Sequence, residues 1–275
     1  MREGIVKKVP FRIGTTSYIV PDDILPNVQF LAGRVDDVEL VLFEVDEGEN
    51  NLPHDAVLDA IHQTMQAADL TCTVHLPLDL RLGDDQENQT LSITKALRVI
   101  RQMARLKPWA YVLHLDGRSV RTACGSQEWE EWTQRTRQAL ALLAGELEEP
   151  RLLSAENLDG YPPDFWDPAL AEMPFSRCVD IGHLWKDGYD PLPFLEKHIE
   201  NARVLHIHGI AQRDHQSLQY VPVQELRRVM DFLVGVNYEG VLTMEVFGED
   251  DFHSSRSVLL ESLHQMNLEA QWENR

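Results

Sequence analysis

Strand-like apolar runs alternate eight times with segments of helical periodicity, and this alternation constrains the chain more than any other feature. The runs are Phe11 to Tyr18, Val35 to Glu44, Leu70 to Leu76, Ala110 to Leu115, Arg151 to Asn157, a short stretch around Val179 and Asp180, Ala202 to His208, and Gly240 to Phe247. Between them apolar residues recur three and four apart, as in Val57, Leu58, Ile61 and Met65, or Leu226, Met230 and Leu233. That spacing builds one buried helical face. Helices are also predicted after Pro21-Asp22-Asp23, over Leu91 to Leu106, along Trp129 to Leu143, from Pro191, and over Phe252 to Met266. Eight strand–helix units in 275 residues predict one closed (β/α)8 TIM barrel over 1–275, with flexible ends at 1–10 and 269–275. A doubly wound open sheet is disfavoured, because no Gly-rich phosphate-binding turn follows the first strand.

Composition narrows the partners. The net charge is −20, from 45 acidic and 25 basic residues, which argues against a nucleic-acid partner because phosphate neutralisation needs a basic surface. The three cysteines, Cys72, Cys124 and Cys178, are odd in number and show no CxxC spacing, which points to a reducing compartment. Residues 1–10 are basic and lack an apolar core of the signal-peptide kind. No run approaches the roughly 18 apolar residues of a membrane span. The expectation is a cytoplasmic protein that acts on a small molecule and has no membrane partner.

The chemistry lies where the strands end. His75, His114, Glu156, Asp180, His208 and Glu245 close six successive strands. In a barrel these ends converge on the C-terminal face, where such folds keep their sites. Six imidazoles and carboxylates gathered there repel or strand one another unless a cation neutralises them. They are the N and O ligands that Zn²⁺ or Mn²⁺ accepts. Glu156, Asp180, His208 and Glu245 are placed to ring one ion, and His75 and His114 a second, with Glu156 bridging. His183, with Asp214 or His215, offers a third position or a substrate contact, so one to three divalent ions are expected. His206 faces the same side as His208 one layer deeper and reads as structural.

Two ions a few ångströms apart suit hydrolysis of a phosphoester, with Glu156, Glu245 and Asp180 as the catalytic carboxylates. Arg213, Arg118 or Lys186 would hold phosphate oxygens, and Trp185, Tyr18, Tyr161 and Trp166 would line a pocket. One ion with Glu156 and Glu245 as an acid–base pair suits a sugar isomerase or epimerase instead. A non-catalytic metal- or ligand-binding barrel is the third reading.

His75-Leu76-Pro77, His114-Leu115-Asp116-Gly117, Glu156-Asn157, Asp180-Ile181-Gly182-His183 with Gly188-Tyr189-Asp190, and Met244-Glu245 resemble, in order, the metal motifs of endonuclease IV and the xylose-isomerase-like TIM-barrel superfamily. The resemblance implies a barrel with His75, His114, Glu156, Asp180, His183, His208 and Glu245 as ligands. It departs where the endonuclease has an Asp-x-His pair, since Asp214 and His215 are adjacent here. The opening Phe11-Arg12-Ile13-Gly14-Thr15-Thr16-Ser17-Tyr18-Ile19-Val20-Pro21, followed by Val35 to Glu44, resembles the bacterial cobamide-remodelling branch. That likeness implies cleavage of the nucleotide loop of a corrinoid at its phosphate linkage.

Overall fold

The computed structural model describes residues 7–42, 50–171 and 173–273. Its strands are β1 (Lys7–Lys8), β2 (Arg12–Thr16), β3 (Asp37–Val41), β4 (Thr71–His75), β5 (Tyr111–His114), β6 (Leu153–Glu156), β7 (Ser176–Asp180), β8 (Ala202–Ile207), β9 (Val241–Met244) and β10 (Leu268–Glu269). Strands β2 to β9 are parallel and close in sequence order into a barrel. The closure pairs β9 with β2 from Arg12 opposite Val241 to Thr15 opposite Met244. The chain is therefore a (β/α)8 barrel, as its eightfold alternation predicts.

The outer layer holds α1 (Ile24–Leu31), α2 (Asp55–Ala68), α3 (Gln86–Met103), α4 (Gln127–Ala144), α5 (Asp167–Leu170), α6 (Ile181–Lys186), α7 (Pro191–His198), α8 (Val223–Gly235) and α9 (Glu249–Gln265). Each long helix turns its apolar stripe to the sheet: α2 buries Leu58, Ile61 and Met65, and α8 buries Leu226, Val229, Met230 and Leu233. The starts are set by local chemistry. Asp85 and Ser126 accept the backbone N–H groups of Asn88 and Trp129, which satisfies donors that the first helical turn leaves open. The strands read as almost unbroken buried runs because helices cover one face and side chains fill the other. No described helix is long and apolar enough to cross a membrane.

Three details differ from the sequence expectation. Phe43 and Glu44, placed at the end of the second strand, lie outside the described residues. The Asp180 strand begins at Ser176, ahead of the stretch read around Val179, and Asp180 caps α6 directly, its Oδ1 accepting the His183 N–H at 2.7 Å. The described parts of the two ends, expected to be loose, are joined. β1 pairs with β10, Ala270 and Trp272 are buried, and the Arg256 guanidinium lies 5.4 Å from the Trp272 ring centre. Polar composition hid two apolar anchors there.

Candidate metal centre

The strand ends meet at the floor of a cleft of 680 Å³, whose lining includes His114, Glu156, His183, His215 and Glu245. Glu156, at the end of β6, is almost fully buried and divides its two oxygens. Oε2 lies 3.3 Å from Nε2 of His75 and 3.3 Å from Nε2 of His114. Oε1 faces the other way, 3.6 Å from Nδ1 of His206 and 3.7 Å from Nδ1 of His183. One carboxylate thus stands between two imidazole groups.

On the first side, His75 places Nδ1 2.8 Å from the Leu76 carbonyl oxygen. A proton on Nδ1 donates there, which turns the Nε2 lone pair toward Glu156. The rings of His75 and His114 meet edge to face at 5.0 Å. His75, His114 and Glu156 each present a ligand atom, all within 4.8 Å of one another.

On the second side, Glu156, Asp180, His206 and Glu245 form a fully buried set within the same 4.8 Å limit. Here the structure adds His206, read from sequence as structural, to the residues that converge on this side. His206 Nε2 sits 2.9 Å from Oε2 of Glu39, a buried carboxylate of β3. With its proton given to Glu39, the ring aims a bare Nδ1 at Oε2 of Glu245, 3.2 Å away. His208 places Nδ1 3.1 Å from the His215 N–H and 3.3 Å from the Gly209 carbonyl oxygen, and its Nε2, 3.4 Å from Asp180 Oδ1, is buried without a hydrogen bond. Both rings point inward, as alternate residues of a strand do, but the deeper one faces the open set of oxygens. His208 groups with Asp180, His183 and His215.

Asn157 holds the Asp180 backbone from both sides. Its Oδ1 accepts the Asp180 N–H at 2.8 Å and its Nδ2 donates to the Asp180 carbonyl at 2.9 Å. Its own carbonyl lies 2.9 Å from His183 Nδ1, which leaves Nε2 of that ring as the atom available to a ligand. His215, in the left-handed region at φ 53°, stacks on His208 at 4.2 Å and brings Nε2 to 3.2 Å from Glu245 Oε2. Its neighbour Asp214 turns to Lys186, 2.6 Å away, and keeps Oδ1 3.4 Å from His215 Nδ1. The adjacent pair therefore contributes an imidazole to the cluster and a carboxylate to the lining of the same cleft.

Whether these residues suit a cation is tested by their hydrogen bonds. Glu156 Oε1, Asp180 Oδ2, His206 Nδ1 and Glu245 Oε2 are buried and make no hydrogen bond, although His206 Nδ1 and Glu245 Oε2 are 3.2 Å apart. Buried polar atoms are seldom left so. Four converging atoms that face one another without proton-sharing geometry fit an ion between them. The charges agree. Burial opposes charge on His215, but Glu245, Asp180 and Asp214 outweigh it and raise its pKa to about 10. Burial likewise opposes ionisation of Glu156 and Glu245, yet the neighbouring imidazoles hold both well below the ordinary carboxylate range. Without a cation, protons on the rings take the place of its charge.

The expected substrate contacts fare unevenly. Lys186 lies 2.6 Å from both Asp159 and Asp214. Arg213 reaches Asp251 at 3.1 Å and donates to the carbonyls of Asp214 and His215. Both charges are engaged, and both brace the loop that presents His215. Trp185 is half-buried against the core and lies away from the cleft lining. Tyr18 is exposed, packs edge-on against Phe247 at 6.3 Å, and belongs to a neighbouring cleft with Asn51. Tyr161 lines the cleft, whereas Trp166 is core and donates Nε1 to the Leu115 carbonyl.

Sequence reading missed Glu39 and the part played by Asn157. Glu39 could be suspected from strand parity, since Asp37, Glu39 and Val41 share one face of β3. Asn157 carried no signal beyond following Glu156.

A family model described as a xylose isomerase-like TIM barrel matches residues 33–267. Solved structures agree in fold across nearly the whole chain. A D-tagatose 3-epimerase-like protein superposes with TM-score 0.72 at 17% identity, covering 94% of this chain and 98% of that one. Endonuclease IV from Thermus thermophilus gives 0.70 at 20% identity, covering 92% and 99%. A 3-keto-D-glucoside 4-epimerase from E. coli gives 0.67 at 14%, covering 92% and 98%. No curated protein sequence matches.

Proposed function

We propose, starting from the fact that this chain belongs to the xylose isomerase-like TIM barrel family, that it is a metal-dependent hydrolase of phosphoesters whose substrate is the nucleotide loop of a cobamide. One observation carries the hydrolytic reading: Glu156 offers one oxygen to His75 and His114 and the other to the set around His206. That division suits a carboxylate shared by two cations. His75, His114 and Glu156 would hold one, and Glu156, Asp180, His206 and Glu245 the other, with His183, His208 and His215 around the outer edge. A pair of Zn²⁺ or Mn²⁺ ions supplies positive charge for the phosphoryl oxygens and makes a water acidic enough to attack near neutral pH.

The chain's own residues prepare that chemistry. Glu39 fixes the His206 tautomer through its 2.9 Å hydrogen bond, a support that raises imidazole basicity. Asn157 fixes Asp180 against β6. Burial of the carboxylates keeps water out of the floor and strengthens every charge interaction there. The cobamide assignment rests on the opening motif from Phe11 to Pro21 and on a cleft of 680 Å³, which suits part of a large ligand.

A second reading has support of its own. The set Glu156, Asp180, His206 and Glu245 can hold one ion without His75 and His114, and two of the structural neighbours named above are described as an epimerase or epimerase-like. That reading makes Glu156 and Glu245 an acid–base pair on a sugar. Metal analysis of the purified protein, followed by assays on a cobamide, an abasic-site DNA and a ketose panel, separates the two. Hydrolysis of the cobamide that is lost in His75→Ala and in Asp180→Asn supports the proposal. Ketose turnover that survives His75→Ala and His114→Ala replaces it with the epimerase. Bound metal without turnover leaves a binding barrel.

A further inference from the structure

In a chain of net charge −20, two arginines, Arg118 and Arg121, line one wall of the cleft. Its hub is Asp116, two residues beyond the end of β5 and buried. Oδ1 accepts the Tyr161 hydroxyl and the Arg118 N–H, both at 2.8 Å. Oδ2 accepts Arg118 Nε at 2.8 Å and lies 2.5 Å from Arg118 Nη2 and from Arg81 Nη1. The loops after β4, β5 and β6 thus converge on one carboxylate. Two tight contacts stiffen the arrangement. A Cβ on Gly117 would stand 2.5 Å from the Phe165 ring, and Trp166 ties the Leu115 carbonyl at 2.8 Å.

Asp116 engages Nε and Nη2 of Arg118, leaving Nη1 without a partner among the described residues. Arg121 lies over the Tyr161 ring, 5.5 Å from its centre, and makes no ion pair among the described residues. Both arginines line the same cleft as His114 and Glu156. The hub stays anionic, since burial is outweighed by the Arg118 and Tyr161 hydrogen bonds and its pKa is held at about 2. Asp84 lies beside Arg81, and Asp159 and Asp214, which also line the cleft, are both held by Lys186. Lys186 and Arg213, the other cations near the cleft, are already engaged by carboxylates.

We propose that Arg118 and Arg121 form an oxyanion clamp, oriented by Asp116 and Tyr161, that binds the phosphoryl group of the substrate at the edge of the metal centre. The clamp rests on the phosphoester reading given above and restricts it: substrates carrying an ionised phosphoryl group are favoured, and a neutral sugar gains nothing. Guanidinium forks suit such a group because they donate two parallel N–H bonds to its oxygens.

The test is the affinity of methyl phosphate, measured by titration calorimetry on the purified protein and on the same protein after chelator treatment. Sulfate and acetate serve as comparison anions. Arg118→Gln with Arg121→Gln is expected to weaken methyl phosphate about tenfold or more in both forms, with the folded state of the variant confirmed by circular dichroism. Arg118→Lys with Arg121→Lys is expected to recover only part of that loss, because the charge returns without the fork. Binding that depends on the arginines but not on chelation upholds the clamp and shows that the phosphoryl group is held without help from a metal. Binding lost on chelation but indifferent to both double variants overturns the clamp and leaves the metal reading intact. Absence of phosphate binding in every form overturns both. Equal arginine dependence for sulfate and methyl phosphate upholds a clamp for tetrahedral oxyanions, whereas equal dependence for acetate overturns selectivity for phosphoryl groups.

Discussion

The two ends of the barrel hold clefts of nearly equal size, 680 Å³ at the C-terminal face and 620 Å³ at the N-terminal face. Their polar groups behave in opposite ways. At the N-terminal end Trp109 Nε1 donates to the Arg203 carbonyl at 2.9 Å, while Arg203 Nε and Nη2 donate back to the Trp109 carbonyl at 3.0 and 2.6 Å. The guanidinium also stacks 4.1 Å from the Trp109 ring centre. At the C-terminal end, Glu156, Asp180, His206 and Glu245 bury atoms that bond to nothing. Volume therefore says little about where chemistry happens. Stability calls for satisfied polar groups, and a cluster that breaks this rule is held open for a ligand.

The contrast can be broken most severely at Glu156. Glu156→Gln is expected to lower turnover on the order of 10³-fold and to reduce the bound metal, both checked by steady-state assay and elemental analysis. Glu39→Gln should weaken metal affinity about 10- to 100-fold through the His206 ring, as read by competition with a chromogenic chelator. If affinity is unchanged, Glu39 is only filling space.

The acidity of the cluster gives a third test. The His215 pKa is raised from 6.5 to about 10, so protonation of this ring stabilises the metal-free protein. That contribution is fully present below pH 6.5 and is lost as pH rises through about 10. A cation competes with the same protons, so its stabilising effect grows over that window. The difference in thermal midpoint with and without metal should widen as pH rises, and a difference that narrows would falsify the coupling.

Smaller effects complete the series. A Cβ on Gly182 would run into the His208 ring, so Gly182→Ala should cost about 1–3 kcal/mol by denaturant titration. Arg203→Ala, at the N-terminal end, should cost about 1 kcal/mol and leave turnover unchanged. A loss of activity there would erase the distinction between the two ends.

The barrel was legible because its evidence is repetitive: eight alternations outvote any single misplaced boundary, including the strand that starts three residues before Val179. The strand-end residues were legible because His75, Glu156 and Asp180 follow apolar runs with no packing reason to be there. The place of His206 in the cluster was not legible. Strand parity places both rings inside, and the contact of His206 Nε2 with Glu39 is what turns Nδ1 of that ring toward Glu245. Glu39 comes from β3, far away in sequence. The engagement of Lys186 and Arg213 was hidden for the same reason, since Asp159 and Asp214 reach Lys186 from two separate loops and Asp251 reaches Arg213 from the first turn of α9.

The reciprocal amide bonds between Asn157 and Asp180 have a bearing on ion choice. They rivet adjacent staves of the barrel at the height where Glu156 and Asp180 project, so the gap between these carboxylates is dictated by main-chain scaffolding and not by whatever occupies it. A rigid aperture sorts its guests by radius. Asn157→Ala should loosen that sieve, so that larger ions such as Ca²⁺ compete better with Zn²⁺ or Mn²⁺ than they do in the intact protein.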